Sequence, residues 1–199
     1  MSFDSPRPVV VKVGGSLFDL PGLGQRLHLW LQQEAPKPVV LVPGGGELAE
    51  AVRKLDKAQR LGQERSHLLA LGATSVAANF LADILPDGQV IPNLKAAAGC
   101  WKRGALPILD LAQFDLADRA QPGHLPHIWD VTSDSLALRA AVTAGAFRLI
   151  LLKSVTLPEK ADWAEASRQG VVDRYFPKAL AAVKLLDVQA INFREWEPR

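Results

Sequence analysis

The sequence predicts an α/β protein, a three-layer αβα sandwich around a mostly parallel sheet. Three observations point there. Short aliphatic runs alternate with stretches of helical period along the chain, the pattern of successive strand–helix–strand units. The runs are apolar throughout, as in Val9-Val10-Val11 and Val39-Val40-Leu41-Val42, which marks strands buried on both faces. Two of these runs end in glycine turns, Gly14-Gly15-Ser16 and Pro43-Gly44-Gly45-Gly46, where a strand gives way to a helix.

The elements follow in order. Val9–Val13 is a β-branched run and the first strand. Leu23–Gln33 reads as a helix with Leu23, Leu27, Trp30 and Leu31 on one face. Pro36 and Pro38 end it, and residues 39–42 form the second strand. Residues 47–58 are helical, with Leu48, Ala51, Val52 and Leu55 in register. A long Ala-rich helix spans about 64–85, apolar on most sides. A short strand follows at 89–91, an ambiguous, helix-leaning segment at 93–101, and a strand at 107–109. Residues 111–132 are the least regular part, with Pro122, Gly123 and Pro126. Residues 133–144 are a helix with Thr132 or Ser133 as N-cap. A strand at 147–152, a short helix within 158–170, a helix at 178–185 and a last strand at 188–193 complete the chain.

Composition bounds the function. The chain has 199 residues, 48% hydrophobic and 22% charged, enough for one sizeable core. A net charge of +2 gives no reason to expect a nucleic-acid or anionic-membrane partner. The single cysteine, Cys100, excludes an internal disulfide and reads as a small buried apolar residue. The first eight residues lack the apolar stretch of a signal peptide, and no apolar run reads as a membrane span of roughly 20 residues. A cytoplasmic protein is therefore expected, as one domain over 1–199.

Chemistry concentrates at three places. Lys12 interrupts the first strand just before Gly14, Gly15 and Ser16; a cation beside free backbone N–H groups suits a phosphate, though an edge strand would also carry such a lysine. Gly44, Gly45 and Gly46 open a helix whose N-terminus favours negative charge. Trp129-Asp130-Val131-Thr132-Ser133-Asp134-Ser135 places two aspartates and three hydroxyls at a helix start, more than capping requires. Asp134 could position lysine ammonium groups, and Lys153 ends another apolar strand. Ligands in open parallel sheets bind beyond the C-terminal strand ends, so these segments converge on one edge. Neither glycine turn has the spacing of a Walker loop or of GxGxxG. His28, His67, His124 and His127 are scattered without metal-ligand spacing and read as structural or surface residues.

Together these features resemble the amino acid kinase family, which includes acetylglutamate, aspartate, uridylate, carbamate and isopentenyl phosphate kinases. The carriers are the K-x-G-G-S strand end, the G-G-G turn, the T-S-D helix start and the lysine after a late strand. P-G-G-G-E-L-A-E-A-V-R at 43–53, His67, W-D-V-T-S-D-S at 129–135 and V-D-R-Y-F at 172–176 look most like the branch that phosphorylates an aminomethylfuran methyl phosphate in methanofuran assembly.

The resemblance implies an ATP-dependent kinase with Mg²⁺, of amino acid kinase-like fold, with an acceptor-binding half at about 1–130 and a shortened nucleotide half at about 131–199. It implies that Lys12 and Lys153 contact the phosphates, that Asp134 orients both lysines, and that Gly14, Gly15 and Ser16 offer N–H groups to the nucleotide. Gly44, Gly45 and Gly46, with Glu47 beside them, would stand on the acceptor side. A homodimer or higher homo-oligomer acting on a small molecule is the expected assembly. The late strand departs from the family: Lys153-Ser154-Val155-Thr156-Leu157-Pro158 replaces the usual D-G-[VI]-Y turn. That leaves open a non-catalytic binding or scaffold member, or a kinase of uridylate or of an acyl carboxylate. Glu47 and Glu50 would repel an anionic acceptor and welcome an amine, unless Arg53 pairs with one of them along the helix.

Overall fold

A computed structural model of the chain describes residues 7–157 and 162–198. The readings made for residues 1–6, and for the start of the 158–170 segment, lie outside the described residues.

Six strands form one sheet: β1 (Val9–Val13), β2 (Val39–Pro43), β3 (Gly88–Ile91), β4 (Leu106–Leu109), β5 (Arg148–Lys153) and β6 (Asp187–Asn192). The order is β3-β4-β2-β1-β5-β6, and each pairing is parallel. The helices are α1 (Leu23–Gln33), α2 (Gly46–Gln59), α3 (Gln63–Ile84), α4 (Ala97–Lys102), α5 (Leu111–Asp118), α6 (Ser133–Thr143), α7 (Trp163–Arg168) and α8 (Phe176–Ala181). They cover both faces, as parallel strands require.

The alternation of β1 divides its side chains between two cores. Val9, Val11 and Val13 join Leu27, Trp30, Leu81 and Phe193 on the α1 side. Val10 joins Leu136, Ala140, Leu149 and Phe176 on the α6 side. By the same period of two, Lys12 faces α6. Lys153 shares that face with Leu149 and Leu151, so the two lysines arrive on one side of adjacent strands.

Several elements differ from the sequence reading. The stretch read as irregular, 111–132, begins with α5. Asp110 caps it, its Oδ1 accepting from the N–H of Ala112 at 3.0 Å and of Gln113 at 3.2 Å. The helix hid because its inward face carries carboxylates: Asp115 and Asp118 are buried and answered by His127 and Arg139. The helix expected at 178–185 starts earlier, at Phe176, with a proline in its first turn, and ends at Ala181. The reading that no apolar run could span a bilayer needs correction. At 22 residues α3 is long and apolar enough by composition, yet Leu71, Ala77, Ala78 and Leu81 bury it as a core helix of the sheet.

Candidate active site

β1 has β2 on one side and β5 on the other, and the chain builds the sheet outward in both directions from it. A crevice opens at such a reversal, beyond the strand ends. Lys12 and Lys153 stand in this crevice, and α6 delivers Asp134 to them from its first turn.

The three side chains form one buried cluster, with Lys12 4%, Asp134 5% and Lys153 7% exposed. Lys153 Nζ donates to Oδ1 and Oδ2 of Asp134, both at 2.7 Å. Lys12 Nζ lies 2.9 Å from the same Oδ1. Burial pushes the Asp134 carboxyl up, but the charges of Lys12 and Lys153 outweigh it and hold the pKa at about 2. For Lys153 burial dominates; Asp134 opposes it, Lys12 adds to it, and the ammonium falls to about 8. One carboxylate thus serves two cations, which leaves an excess positive charge facing the cleft. Such a pair is a receptor for an anion with several oxygens.

The two glycine turns pack backbone against backbone. A Cβ on Gly15 would lie 2.1 Å from the Gly46 nitrogen, and Gly46 itself has φ +53°. Only glycine at both positions lets the turns meet this closely. The turn amides have different fates. Gly14 N–H donates to the Leu152 carbonyl at 2.9 Å and Gly44 N–H to the Val13 carbonyl at 2.8 Å, so these two lock the strands. The first N–H groups of the Gly15–Leu17 turn and of α2, at Gly15, Ser16, Gly46 and Glu47, have no partner within their own helices and stand beside the lysines. Ser16 and Ser154 join their hydroxyls at 3.0 Å, tying the first turn to the end of β5.

A cleft of about 1410 Å³ runs through this centre. That exceeds the usual range of roughly 300–1,000 Å³ for one small ligand. Its lining falls by element into two arms. Glu47, Glu50, Arg53, His67 and Trp129 come from α2, α3 and the loop before α6. Ser154, Val155, Val172, Asp173 and Arg174 follow β5 or precede α8. Arg53 pairs with Glu50 at 3.3 Å, the local pairing that the helix spacing allowed, and also lies 4.2 Å from the Trp129 ring centre. Trp129 Nε1 donates to Asp56 at 2.7 Å, which fastens the loop before α6 to α2.

The sequence reading gave Asp173 no role. Its carboxylate accepts from the N–H and hydroxyl of Thr132, from both groups of Ser135, and from the N–H of Tyr175 and Phe176. It therefore caps α6 and α8 together; Thr132 holds the N-cap position but makes no cap bond with its own side chain. Burial, then the charge of Asp134, raises the Asp173 pKa, and the Ser135 and Thr132 bonds oppose the rise. Arg194 was overlooked as well; it donates to the Ser16 carbonyl at 2.7 Å and pairs with Asp19. Neither residue stood in a recognisable spacing. Only V-D-R-Y-F at 172–176 hinted at the first.

The fold is the amino acid kinase fold, shared with uridylate kinases. The enzyme from Archaeoglobus fulgidus superposes with a TM-score of 0.62 at 20% identity, over 90% of this chain and 89% of that one. The UMP kinase from Bacillus anthracis gives 0.65 at 14% identity, over 95% and 88%. In sequence, the chain is similar to the [5-(aminomethyl)furan-3-yl]methyl phosphate kinase of Methanocaldococcus jannaschii, 35% identical over 133 residues. That match takes in 65% of this chain and spans 57% of the relative's length, a little over half. No protein-family model matches the chain.

Proposed function

We propose that the chain is an ATP-dependent kinase that moves the γ-phosphoryl group onto a small-molecule acceptor. The carrying observation is the Lys12–Asp134–Lys153 cluster at the reversal of the sheet, between two arms of one cleft. The kinase names of the sequence relative and of the structural neighbours support the same reading.

Phosphoryl transfer needs positioning and charge neutralisation more than covalent help. Lys12 and Lys153, held by Asp134, bind the phosphate oxygens and gather the charge that builds on them in transfer. Gly15 and Ser16 donate N–H groups from the nucleotide side, and Gly46 and Glu47 from the acceptor side. Gly14 and Gly44 hold the frame, as do Gly45 and the bonds of Asp173. The two carboxylates beside the lysines have their oxygens engaged, Asp134 by lysines and Asp173 by six donors. Neither is free to bind a cation, so Mg²⁺ comes as the nucleotide complex, held by phosphate oxygens and water.

The acceptor we propose is a phosphate monoester that carries an amine. Glu50 is answered by Arg53, which also covers the Trp129 ring, so Glu47 supplies the negative charge for the amine and Arg53 can meet the phosphate. The relative's printed substrate has an amine, a ring and a phosphate. Uridylate and acyl carboxylates are the competing acceptors, and a non-catalytic scaffold is the competing function. The arm beside Val155, Asp173 and Arg174 favours the nucleotide reading over the scaffold. The chain is further proposed to act as a homodimer, through the exposed Leu69 and Val76 of α3, which light scattering would test.

The decisive assay mixes the protein with Mg·ATP and each candidate acceptor, and measures ADP. Formation of ADP with the aminomethyl phosphate, lost in Lys12→Met, supports the proposal. ADP only with uridylate would transfer the reading to that acceptor. Folded protein that binds no Mg·ATP in calorimetry would overturn the kinase altogether.

A further inference from the structure

Away from the lysine cluster, His67 of α3, Asp115 of α5 and His127 of the loop before α6 come together. One ligand atom from each lies within 4.8 Å of the others. The sequence spacing gave no hint of this, because 48 and 12 residues separate consecutive members and each belongs to a different element.

The state of His67 is the telling observation. Its ring is 3% exposed. Nδ1 lies 3.1 Å from the Ile128 carbonyl and donates to it, which fixes the tautomer with a bare lone pair on Nε2. That Nε2 is buried and has no hydrogen-bond partner among the described residues. An orphaned buried acceptor is costly, so native proteins rarely keep one without use. A backbone carbonyl holding one imidazole nitrogen while the other stays bare is how metal-binding histidines are oriented.

The other two groups complete a donor set. His127 Nε2 lies 3.0 Å from Asp115 Oδ2 and 3.2 Å from Oδ1, and its ring stacks on His67 with centres 5.1 Å apart. Arg119 approaches Asp115 at 3.4 Å from the half-exposed side and can swing to water.

We propose that His67, His127 and Asp115 bind one divalent ion of the zinc type. Two imidazoles and a carboxylate suit borderline cations such as Zn²⁺ and Co²⁺, not Mg²⁺. Ligands around tetrahedral zinc stand about 3.3 Å apart; His127 and Asp115 already have that spacing, so the ion draws in His67, by up to about 1.5 Å. His127 then carries its proton on Nδ1, and water fills the fourth position. The ion pins α3, α5 and the 124–128 loop at one point. Trp129 and the start of α6 follow directly, so the site steadies the acceptor arm without entering the reaction.

The test uses nucleotide-free protein without an affinity tag, titrated with Zn²⁺ in calorimetry and with Co²⁺ in visible absorption. We expect one ion per chain, an intense tetrahedral Co²⁺ band and a higher melting temperature with Zn²⁺. His67→Gln and Asp115→Asn should weaken binding at least 100-fold. His28→Ala, an exposed-side histidine of α1 outside the cluster, should leave it unchanged. If either core variant fails to fold by circular dichroism, His127→Gln, at a half-buried position, gives the same comparison. Wild-type binding no tighter than that of His127→Gln, or loss of binding in His28→Ala, overturns the proposal. Because no nucleotide is present, the outcome does not depend on kinase activity.

Discussion

Oδ1 of Asp134 is shared by Lys153 Nζ at 2.7 Å and Lys12 Nζ at 2.9 Å. One carboxylate from a helix therefore sets the spacing of two cations from adjacent strands. Asp134→Ala should leave two buried ammonium groups without a counter-charge. Breaking a buried pair this way costs about 3–5 kcal/mol, so denaturant unfolding should show a loss of that size. Phosphoryl transfer should vanish with it.

Lys12→Met should separate stability from activity. Methionine fills the same volume and removes a buried charge, while Asp134 keeps Lys153. Stability should change by less than about 1.5 kcal/mol. Turnover should fall by about 10²–10³ or more, the usual cost of one lost transition-state donor. Parallel measurement of melting and ADP release checks both expectations.

Lys153 gives a pH signature. Its ammonium is lowered to about 8 in the fold from an ordinary 10.5. Nucleotide affinity should decline as pH rises through about 8, because the neutral amine no longer attracts phosphate. Stability runs the other way. Between about 8 and 10.5 the unfolded chain holds a proton that the native chain has released. The contribution of Lys153 to stability should therefore rise with pH across that window. Denaturation curves at pH 7.5 and 10 should show the trend in wild type and its absence in Lys153→Met.

Two glycine substitutions should act in opposite directions. Gly15→Ala puts a methyl 2.1 Å from the Gly46 nitrogen and should destabilise by about 1–3 kcal/mol while parting the two turns. Gly72, exposed within α3, has nothing within 4 Å of an added Cβ. Gly72→Ala should stabilise by about 0.5–1 kcal/mol. Thermal melts of the two variants make the comparison.

Asp173→Ala removes the cap of two helices at once. Single caps are worth about 0.5–2 kcal/mol, and here the loss should approach twice that. Under the proposed kinase activity, KM for ATP should rise as well, since Asp173 lines the cleft on the side proposed for the nucleotide.

The middle of the sheet was legible in the sequence because β1, β2 and β5 are buried on both faces and read as nearly unbroken apolar runs. Lys12 and Lys153 were legible for the same reason, as charges in places where charge is costly. α5 was not, because Asp115 and Asp118 break its apolar face and find partners distant in sequence, His127 and Arg139. Asp173, Arg194 and the His67–His127 stack were hidden likewise. Their chemistry comes from tertiary neighbours, and no local spacing encodes it.

The position of β1 has a consequence for how the chain is made. The first strand of the described sheet becomes its middle. Val10 pairs with Val40 on one flank and with Leu149 on the other. Until residues 148–153 are synthesised, one edge of an almost wholly aliphatic strand has no neighbour. Such an edge recruits other chains. The nascent protein is thus most prone to aggregate late in its synthesis, and arrest before Lys153 should yield insoluble product where arrest just after β6 does not.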